Sequence, residues 1–210
     1  MASRHAGDCK SWLEPQEKGL SHTTRSIFEG RVIRLGIESL TLPNGTQLDL
    51  EIVRHPGGAA VVAINAQQQV CLLRQYRHAG GGWLWELPAG KLEPDESPEV
   101  TAERELQEEA GVQAGCWEKL GNILVTPGIC DEVIHLFMAS ALTMGTPQPE
   151  THELFEVHWV PLKDALAQVH NGTITDAKTM LGLMLADRLL GQRLRQDPDA
   201  TQGTTATTKQ

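Results

Sequence analysis

The stretch from Gly90 to Val112 carries the residues whose types and spacing are best suited to chemistry. Its sequence, GKLEPDESPEVTAERELQEEAGV, holds eight carboxylates against two cations, Lys91 and Arg104. Acidic side chains three or four residues apart on a helix repel each other, so this density of like charge destabilises the bare segment. The composition of the stretch therefore predicts a bound counter-ion.

A helix from about Pro98 to Ala110 is predicted to carry many of these carboxylates. Ser97 is a favourable N-cap, proline suits the first helical position, and Gly111 can adopt the left-handed conformation that ends a helix. Three apolar residues at intervals of four form a face that can pack on a core: Ala102, Leu106 and Ala110. Three glutamates lie together on a neighbouring face: Glu105, Glu108 and Glu109.

A divalent cation is the counter-ion that suits this acidic face. Mg²⁺ takes oxygen ligands and is usually held by one or two carboxylates together with substrate phosphates and water. Glu105 and Glu109 are one helical turn apart, so they can point at one site or bridge two ions. The alternative is a solvated acidic face, which is the usual meaning of a run of charge on a helix.

The wider spacing favours the metal site. Gly90 is followed after five residues by Glu96, and after seven more by the run RELQEEAGV from Arg104 to Val112. This pattern resembles the signature of the Nudix hydrolases at every fixed position. The resemblance implies an α/β fold, namely the Nudix α/β/α sandwich with a mixed sheet, here preceded by N-terminal antiparallel strands. It also implies a loop-helix-loop that binds Mg²⁺ or Mn²⁺ and hydrolyses a nucleoside diphosphate linked to another group.

The resemblance also assigns roles to residues of this segment. Glu105 and Glu109 are the expected main metal ligands, and Glu108 is expected to support them and to take part in catalysis. The family also uses the main-chain carbonyl before the signature glycine as a ligand, which corresponds to Ala89. Arg104 is expected to pair with a carboxylate of the segment and to fix its conformation rather than to touch substrate.

A carboxylate outside this helix is needed to complete the ion shell or to accept a proton from water. In the Nudix group that this chain resembles, the acid comes from the loop before the last strand. Glu153 matches it best, and it is predicted both as a metal ligand and as a catalytic residue. Some members carry two acids there, spaced by one residue, whereas this chain has Thr151 at the first position. Glu150 therefore stays a second candidate.

The substrate group is indicated by a proline sixteen residues after Gly111, at Pro127. Together with the segments RQYRHA, WELPAGKLEP and TPGICDE, it resembles the ADP-ribose pyrophosphatase group, which implies hydrolysis of ADP-ribose to AMP and ribose 5-phosphate. The substrate-binding residues expected from this resemblance are Arg54 and Arg77 as phosphate clamps, Thr126, Pro127, Gly128 and Glu132 at the terminal ribose, and Lys91 beside the metal-bound carbonyl.

Other functions stay open from the sequence. Another nucleoside diphosphate sugar such as GDP-mannose, or an oxidised nucleotide, could be the substrate of the same chemistry. A non-catalytic ADP-ribose sensor is a second class, although a sensor has no need of the three glutamates together. An RNA-decapping enzyme is a third, and it would require a basic groove that the composition does not indicate.

The composition limits the partners. The chain has 210 residues, 40% hydrophobic and 21% charged, with a net charge of -9. This balance predicts no bulk binding to nucleic acid or to an anionic membrane, and no apolar run is long enough to span a bilayer. The N-terminus lacks the apolar core of a signal peptide, and the four cysteines have no CxxC spacing. A cytoplasmic protein with reduced thiols is therefore expected.

The elements around the acidic segment are predicted from residue patterns. Residues 1–25 are expected to form a mobile arm, and 26–55 form N-terminal strands with an Asn44-Gly45 hairpin turn. In the family that the chain resembles, such strands pack across a homodimer, although a plain edge sheet is an equal alternative. Residues 56–191 are the predicted catalytic domain, in which two apolar segments, 59–66 and 69–77, are central strands of the mixed sheet. Residues 192–210 are expected to form a disordered tail.

Overall fold

The computed structural model of the chain describes residues 23–148 and 154–196. The chain divides into two compact units, Met1–Arg54 and His55–Gln210. The predicted arm at residues 1–22, the predicted Glu153 and Glu150, and residues 197–210 of the predicted tail lie outside the described residues. No helix in the described ranges is long and apolar enough to cross a membrane.

The first unit contains three antiparallel strands, as predicted. They are β1 (Thr23–Glu29), β2 (Arg34–Thr41) and β3 (Gln47–Arg54), and they pair in the order β1-β2-β3. The hairpin between β2 and β3 turns at Gly45, which has a φ of +84°, and Asn44 Oδ1 accepts a hydrogen bond from the Thr46 N–H at 3.0 Å. β1 begins inside the segment predicted as an arm.

The second unit alternates strands and helices. In chain order its elements are β4 (Gly58–Ala63), β5 (Gln69–Arg77), β6 (Gly82–Glu86), β7 (Ala89–Lys91), α1 (Pro98–Ala110), β8 (Val112–Leu124), β9 (Val133–Met144), β10 (Phe155–Pro161), α2 (Leu162–His170) and α3 (Ala177–Gln196). One sheet is mixed, with the order β7-β4-β9-β8, in which β4 and β9 run parallel. The other sheet is antiparallel, with the order β10-β5-β6.

Strand β4 is the centre of this unit because both of its faces are buried. Alternate side chains contribute to two separate cores, since successive residues of a strand point to opposite faces. Ala59, Val61 and Ala63 belong to the core that contains the apolar face of α1. Ala60 and Val62 belong to the core that contains buried residues of α2 and α3. Helices therefore cover both faces, which confirms the predicted α/β/α sandwich with a mixed sheet.

Two sequence expectations need correction. The segment 69–77 is a strand, but β5 lies in the antiparallel sheet, because beyond an isolated bridge between Ile64 and Val70 it pairs with β6 and β10. Helix α3 continues to Gln196, past the predicted tail boundary, because basic residues in its last turn suit the helix dipole.

Candidate functional site

Helix α1 has the predicted ends, and these ends set the direction of its glutamates. The Ser97 side chain accepts a hydrogen bond from the Val100 N–H, and Gly111 ends the helix with a φ of +67°. The apolar face packs against the core beneath, where Leu106 is fully buried. Glu105 and Glu109 lie next to that face and are 8% and 1% exposed. Two carboxylates are thus held at the inner edge of the helix.

The short strand β7 lies against these two carboxylates. The Ala89 N–H donates a hydrogen bond of 2.8 Å to Glu109 Oε2. The Glu105 carboxylate sits against the backbone of Gly90, where a β-carbon would come within 1.7 Å of Glu105 Oε1. A side chain at residue 90 would therefore displace the Glu105 carboxylate, and glycine permits the close approach that brings three of the predicted ligand residues together.

Arg104 crosses the outer side of this cluster. Its guanidinium donates to Glu96 Oε1 at 3.0 Å, to Glu105 Oε1 at 2.7 Å and to Glu108 Oε2 at 3.1 Å. It also donates to the Lys91 carbonyl at 3.2 Å. The hydrogen bonds from Arg104 lower the pKa of Glu96 to about 2, and the same contact raises the pKa of Arg104. The arginine thus fixes the acidic segment, as predicted.

The chemistry of this cluster fits a hard divalent cation. Arg104 supplies one positive charge to the carboxylates of Glu96, Glu105 and Glu108, so the set remains negative, and Glu109 adds a further buried carboxylate beside it. The Glu105 and Glu109 side chains, which lie against the backbone of Ala89 and Gly90, offer carboxylate oxygens, the ligand type that Mg²⁺ prefers. Within residues 23–148 and 154–196, no three acidic, histidine or cysteine side chains converge on one point by themselves. A metal here would therefore also need the backbone carbonyl, water and phosphate oxygens.

The two predicted phosphate clamps are each held by a buried glutamate. In the first unit, Arg54 Nε donates to Glu38 Oε1 at 2.9 Å, and Glu38 is 6% exposed. In the second unit, Arg77 makes two hydrogen bonds of 3.0 Å to Glu86, which is 2% exposed. The guanidinium groups are oriented by these contacts, yet the two arginine side chains remain 40% and 43% exposed.

A partly buried lysine, which the sequence analysis missed, contacts the same glutamate as Arg77. Lys178 Nζ lies 2.7 Å from Glu86 Oε2 and 3.0 Å from Asp176 Oδ1, and its side chain is 11% exposed. Burial raises the pKa of Glu86, but the bonds from Arg77 and the charge of Lys178 outweigh it, so the net direction is downward. Glu86 lies inside the segment WELPAGKLEP, so the family resemblance of that segment could have indicated its importance. No motif around Lys178 gives a comparable signal.

The predicted ribose-binding segment forms a compact loop between β8 and β9. The Thr126 carbonyl accepts from the N–H groups of Ile129 and Cys130 at 3.1 and 3.0 Å. The Val125 N–H donates to the Glu132 carbonyl at 3.2 Å and closes the loop. Thr126, Pro127 and Gly128 are exposed at its tip, and the Glu132 side chain is 25% exposed. The loop thus presents a carboxylate and main-chain groups to solvent.

Comparison with known proteins agrees with this geometry. The model of the NUDIX domain matches residues 54–181. The chain is 40% identical over 172 residues to the ADP-ribose pyrophosphatase of Bacillus subtilis, covering 80% of this chain and 93% of the relative. It is 39% identical over 165 residues to the methanol dehydrogenase activator of Bacillus methanolicus, covering 76% and 88% of the two chains.

More distant similarities support the same fold. The GDP-mannose pyrophosphatase of Cronobacter sakazakii is 37% identical over 156 residues, which cover 65% of this chain and 80% of that protein. The crystal structure of an ADP compounds hydrolase superposes with a TM-score of 0.73 at 20% identity, covering 84% of this chain and 96% of the other. The family model, the high coverage of the relatives and the carboxylates gathered at Gly90 lead to one conclusion: the chain belongs to the NUDIX domain family.

Proposed function

We propose that this chain hydrolyses the diphosphate bond of ADP-ribose to AMP and ribose 5-phosphate, with Mg²⁺ or Mn²⁺ as cofactor. The observation that carries this proposal is the gathering of the Glu105 and Glu109 carboxylates against the backbone of Ala89 and Gly90. The choice of substrate is supported by the 40% identity to an ADP-ribose pyrophosphatase over most of both chains.

The diphosphate resists water because its negative oxygens repel a nucleophile. A divalent ion bound here would neutralise those oxygens and increase the acidity of water. The residues proposed to hold it are Glu105, Glu109 and the Ala89 carbonyl, and Arg104 keeps Glu105 in place through a 2.7 Å hydrogen bond. In the hydrolysis, the water oxygen bonds to one phosphorus, the bridging P–O bond breaks, and the water proton passes to a carboxylate.

The proton acceptor is proposed to be an acid near the outer side of the cluster. Glu108 is a candidate because its side chain is 39% exposed and hydrogen-bonded to Arg104. Glu153 is proposed as the acid from outside the helix, acting as a ligand or as the base. Comparing Glu108→Gln with Glu153→Gln tests this division, because loss of the base lowers kcat at saturating metal, whereas loss of a ligand raises the metal requirement.

Substrate contacts follow from the exposed cations and the loop. Arg77 and Arg54 are proposed to bind the diphosphate, because a guanidinium fork matches phosphate oxygens. Lys91 is proposed to lie beside the substrate, next to the carbonyl of the metal site. At the terminal ribose, the Glu132 carboxylate would accept hydrogen bonds from the sugar hydroxyls, and the loop tip at 126–128 would lie beside the sugar.

The test is turnover on a substrate panel of ADP-ribose, GDP-mannose, NADH and 8-oxo-dGDP, with Mg²⁺ and with a chelator, followed by product chromatography. The proposal expects a large, metal-dependent preference for ADP-ribose. GDP-mannose as the best substrate would keep the chemistry and replace the substrate, an alternative that the 37% identical GDP-mannose pyrophosphatase supports. Tight binding of ADP-ribose without turnover would indicate a sensor instead.

Assembly and location are also proposals. A homodimer formed through the N-terminal strands is supported by exposed apolar side chains in the first unit, Ile27 at 48% and Phe28 at 55%. Analytical ultracentrifugation tests it, and a monomer at working concentration would refute it. A cytoplasmic location, without nucleic-acid or membrane partners, is supported by the net charge of -9 and is tested by cell fractionation.

A further inference from the structure

One ring nitrogen of His55 lies between two partners that cannot both be satisfied. The Gly57 N–H donates to His55 Nδ1 at 3.1 Å, and Glu132 Oε1 lies 3.4 Å from the same nitrogen. The His55 side chain is 14% exposed. An imidazole nitrogen either accepts a hydrogen bond through its lone pair or donates one through its proton. The bond from Gly57 therefore requires the neutral ring, whereas a bond to Glu132 requires a proton on Nδ1.

The loop between β8 and β9 is attached to His55 by a second contact. The His55 main-chain N–H donates to Asp131 Oδ1 at 2.8 Å, so two successive acids of the loop lie against this one residue. Among the described residues of the second unit, Asp131 and Glu132 are the charged side chains that contact His55. The attachment through the main chain persists in either state of the ring, so only the side-chain contact can change.

The other partner, Gly57, is fixed in place. Its φ is +83°, and a β-carbon there would lie 2.8 Å from the Val133 carbonyl oxygen. Its own carbonyl accepts a hydrogen bond from the Leu92 N–H at 3.2 Å, directly after strand β7. Because Gly57 cannot move to follow the ring, a change at His55 must be taken up by Glu132, whose side chain is 25% exposed.

We propose that His55 is a positioning residue for Glu132 and thereby for the sugar end of the substrate. Neutral His55 bonds to Gly57 and leaves the Glu132 carboxylate to accept hydrogen bonds from sugar hydroxyls. Protonated His55 donates to Glu132 and withdraws it from the sugar. The proposal rests on the proposed function, since that function gives Glu132 its sugar contact. It predicts that acidification weakens substrate binding through this pair, without an effect on the bond-breaking step.

The kinetic test measures KM and kcat for ADP-ribose at saturating Mg²⁺, from about pH 8 to about pH 5.5, the range in which an imidazole changes charge. For the wild type we expect KM to rise by about three- to tenfold at the acidic end, the effect of losing one hydrogen bond to a sugar hydroxyl. In His55→Asn the amide oxygen can replace Nδ1 as an acceptor, but it does not titrate. That variant should lose the acid-dependent rise in KM and keep the pH profile of kcat.

A matched control and a second variant make the result specific. His170 is exposed at the end of α2, and its Nδ1 donates to the Leu166 carbonyl at 2.7 Å, so His170→Asn should keep the wild-type profile. His55→Leu can neither accept from Gly57 nor donate to Glu132, so it should also lose the acid-dependent rise in KM. A KM profile for His55→Asn that still rises on acidification like the wild type would overturn the proposal.

A substrate-free measurement separates this proposal from the proposed function. In ¹⁵N-labelled full-length protein, the Gly57 amide resonance should shift as the pH falls, and should not do so in His55→Asn. A Gly57 amide that does not respond in the wild type would overturn the exclusive pairing. A Gly57 amide that responds to pH while KM for ADP-ribose stays constant would overturn the role of His55 in positioning Glu132. Absence of ADP-ribose turnover at every pH would overturn the proposed function and the sugar contact of Glu132. The Gly57 amide resonance would still show in that case whether His55 exchanges its bond with Gly57 for one with Glu132.

Discussion

Replacing Gly90 with alanine should impair metal binding while leaving the fold intact. A β-carbon at residue 90 would lie 1.7 Å from Glu105 Oε1, whereas ordinary contacts begin at 3.4 Å. The carboxylate must therefore move by the difference, about 1.7 Å. Mg²⁺–oxygen distances are about 2.0–2.1 Å and tolerate changes of only about 0.2 Å, so a shift of this size removes Glu105 from the ligand set.

The expected effects of Gly90→Ala on metal and on stability are very different. The Mg²⁺ concentration for half-maximal ADP-ribose turnover should rise by about 10- to 100-fold, the range seen when the support of a metal site is lost. The free energy of unfolding should change by no more than about 1 kcal/mol, because the atoms that must move are the end of a flexible side chain.

Magnesium titrations of turnover and urea denaturation measure these two quantities. Gly115→Ala is the matched control, since a β-carbon at residue 115 would make an ordinary contact of 3.4 Å with the Ala141 β-carbon and displace no ligand. A Gly90→Ala enzyme with the wild-type magnesium requirement would show that Glu105 does not bind metal from its position against β7, and the reasoning would fail.

Three further predictions concern stability. Glu86→Gln removes a buried carboxylate that accepts from two cations, so we expect urea denaturation to show that the free energy of unfolding falls by about 2 kcal/mol. Lys178→Met removes one of those two donors and should cost about half as much. Equal costs for the two variants would contradict this reasoning. Thr179→Val removes the hydroxyl that accepts the Leu87 N–H at 2.9 Å in a fully buried position, at a cost of about 1–3 kcal/mol, and Thr179→Ser should recover most of it. The pKa of Glu96 in the folded protein is about 2, against an ordinary value of 4.5. The ionised carboxylate therefore contributes its full stabilisation of the fold above pH 4.5, and this contribution is lost as the pH falls toward 2. The stability difference between wild type and Glu96→Gln should therefore shrink on acidification over this window, and a constant difference would refute the contribution.

Helix α1 could be predicted from the sequence because its signals are local. Ser97, Pro98 and Gly111 each act within one turn of the chain, and the structure has the helix at Pro98–Ala110, as predicted. The contact of the glutamates with β7 could be predicted only through the family resemblance. A three-residue strand such as Ala89–Lys91 is too short to show a pattern of its own.

The remaining features depend on tertiary contacts that local patterns do not encode. Lys178 and Glu86 are 92 residues apart in sequence, and their contact exists only because α3 packs beneath β6. Trp83 and Trp85 are two residues apart on β6, so their side chains point to the same face. Trp85 nevertheless packs against the core, whereas Trp83 is 43% exposed. The contacts of His55 with Asp131 and Glu132 depend in the same way on a loop more than seventy residues away in sequence.

The most direct test of the central claim compares the wild type with Glu109→Gln, in paired assays of ADP-ribose turnover with Mg²⁺ and of ADP-ribose binding. The amide keeps the shape and can still accept the Ala89 N–H bond, but it lacks the charge needed for a metal ligand. We predict that turnover falls by about 10²- to 10⁴-fold while ADP-ribose still binds. Undiminished turnover with unchanged binding would contradict the assignment of these glutamates to metal-dependent hydrolysis.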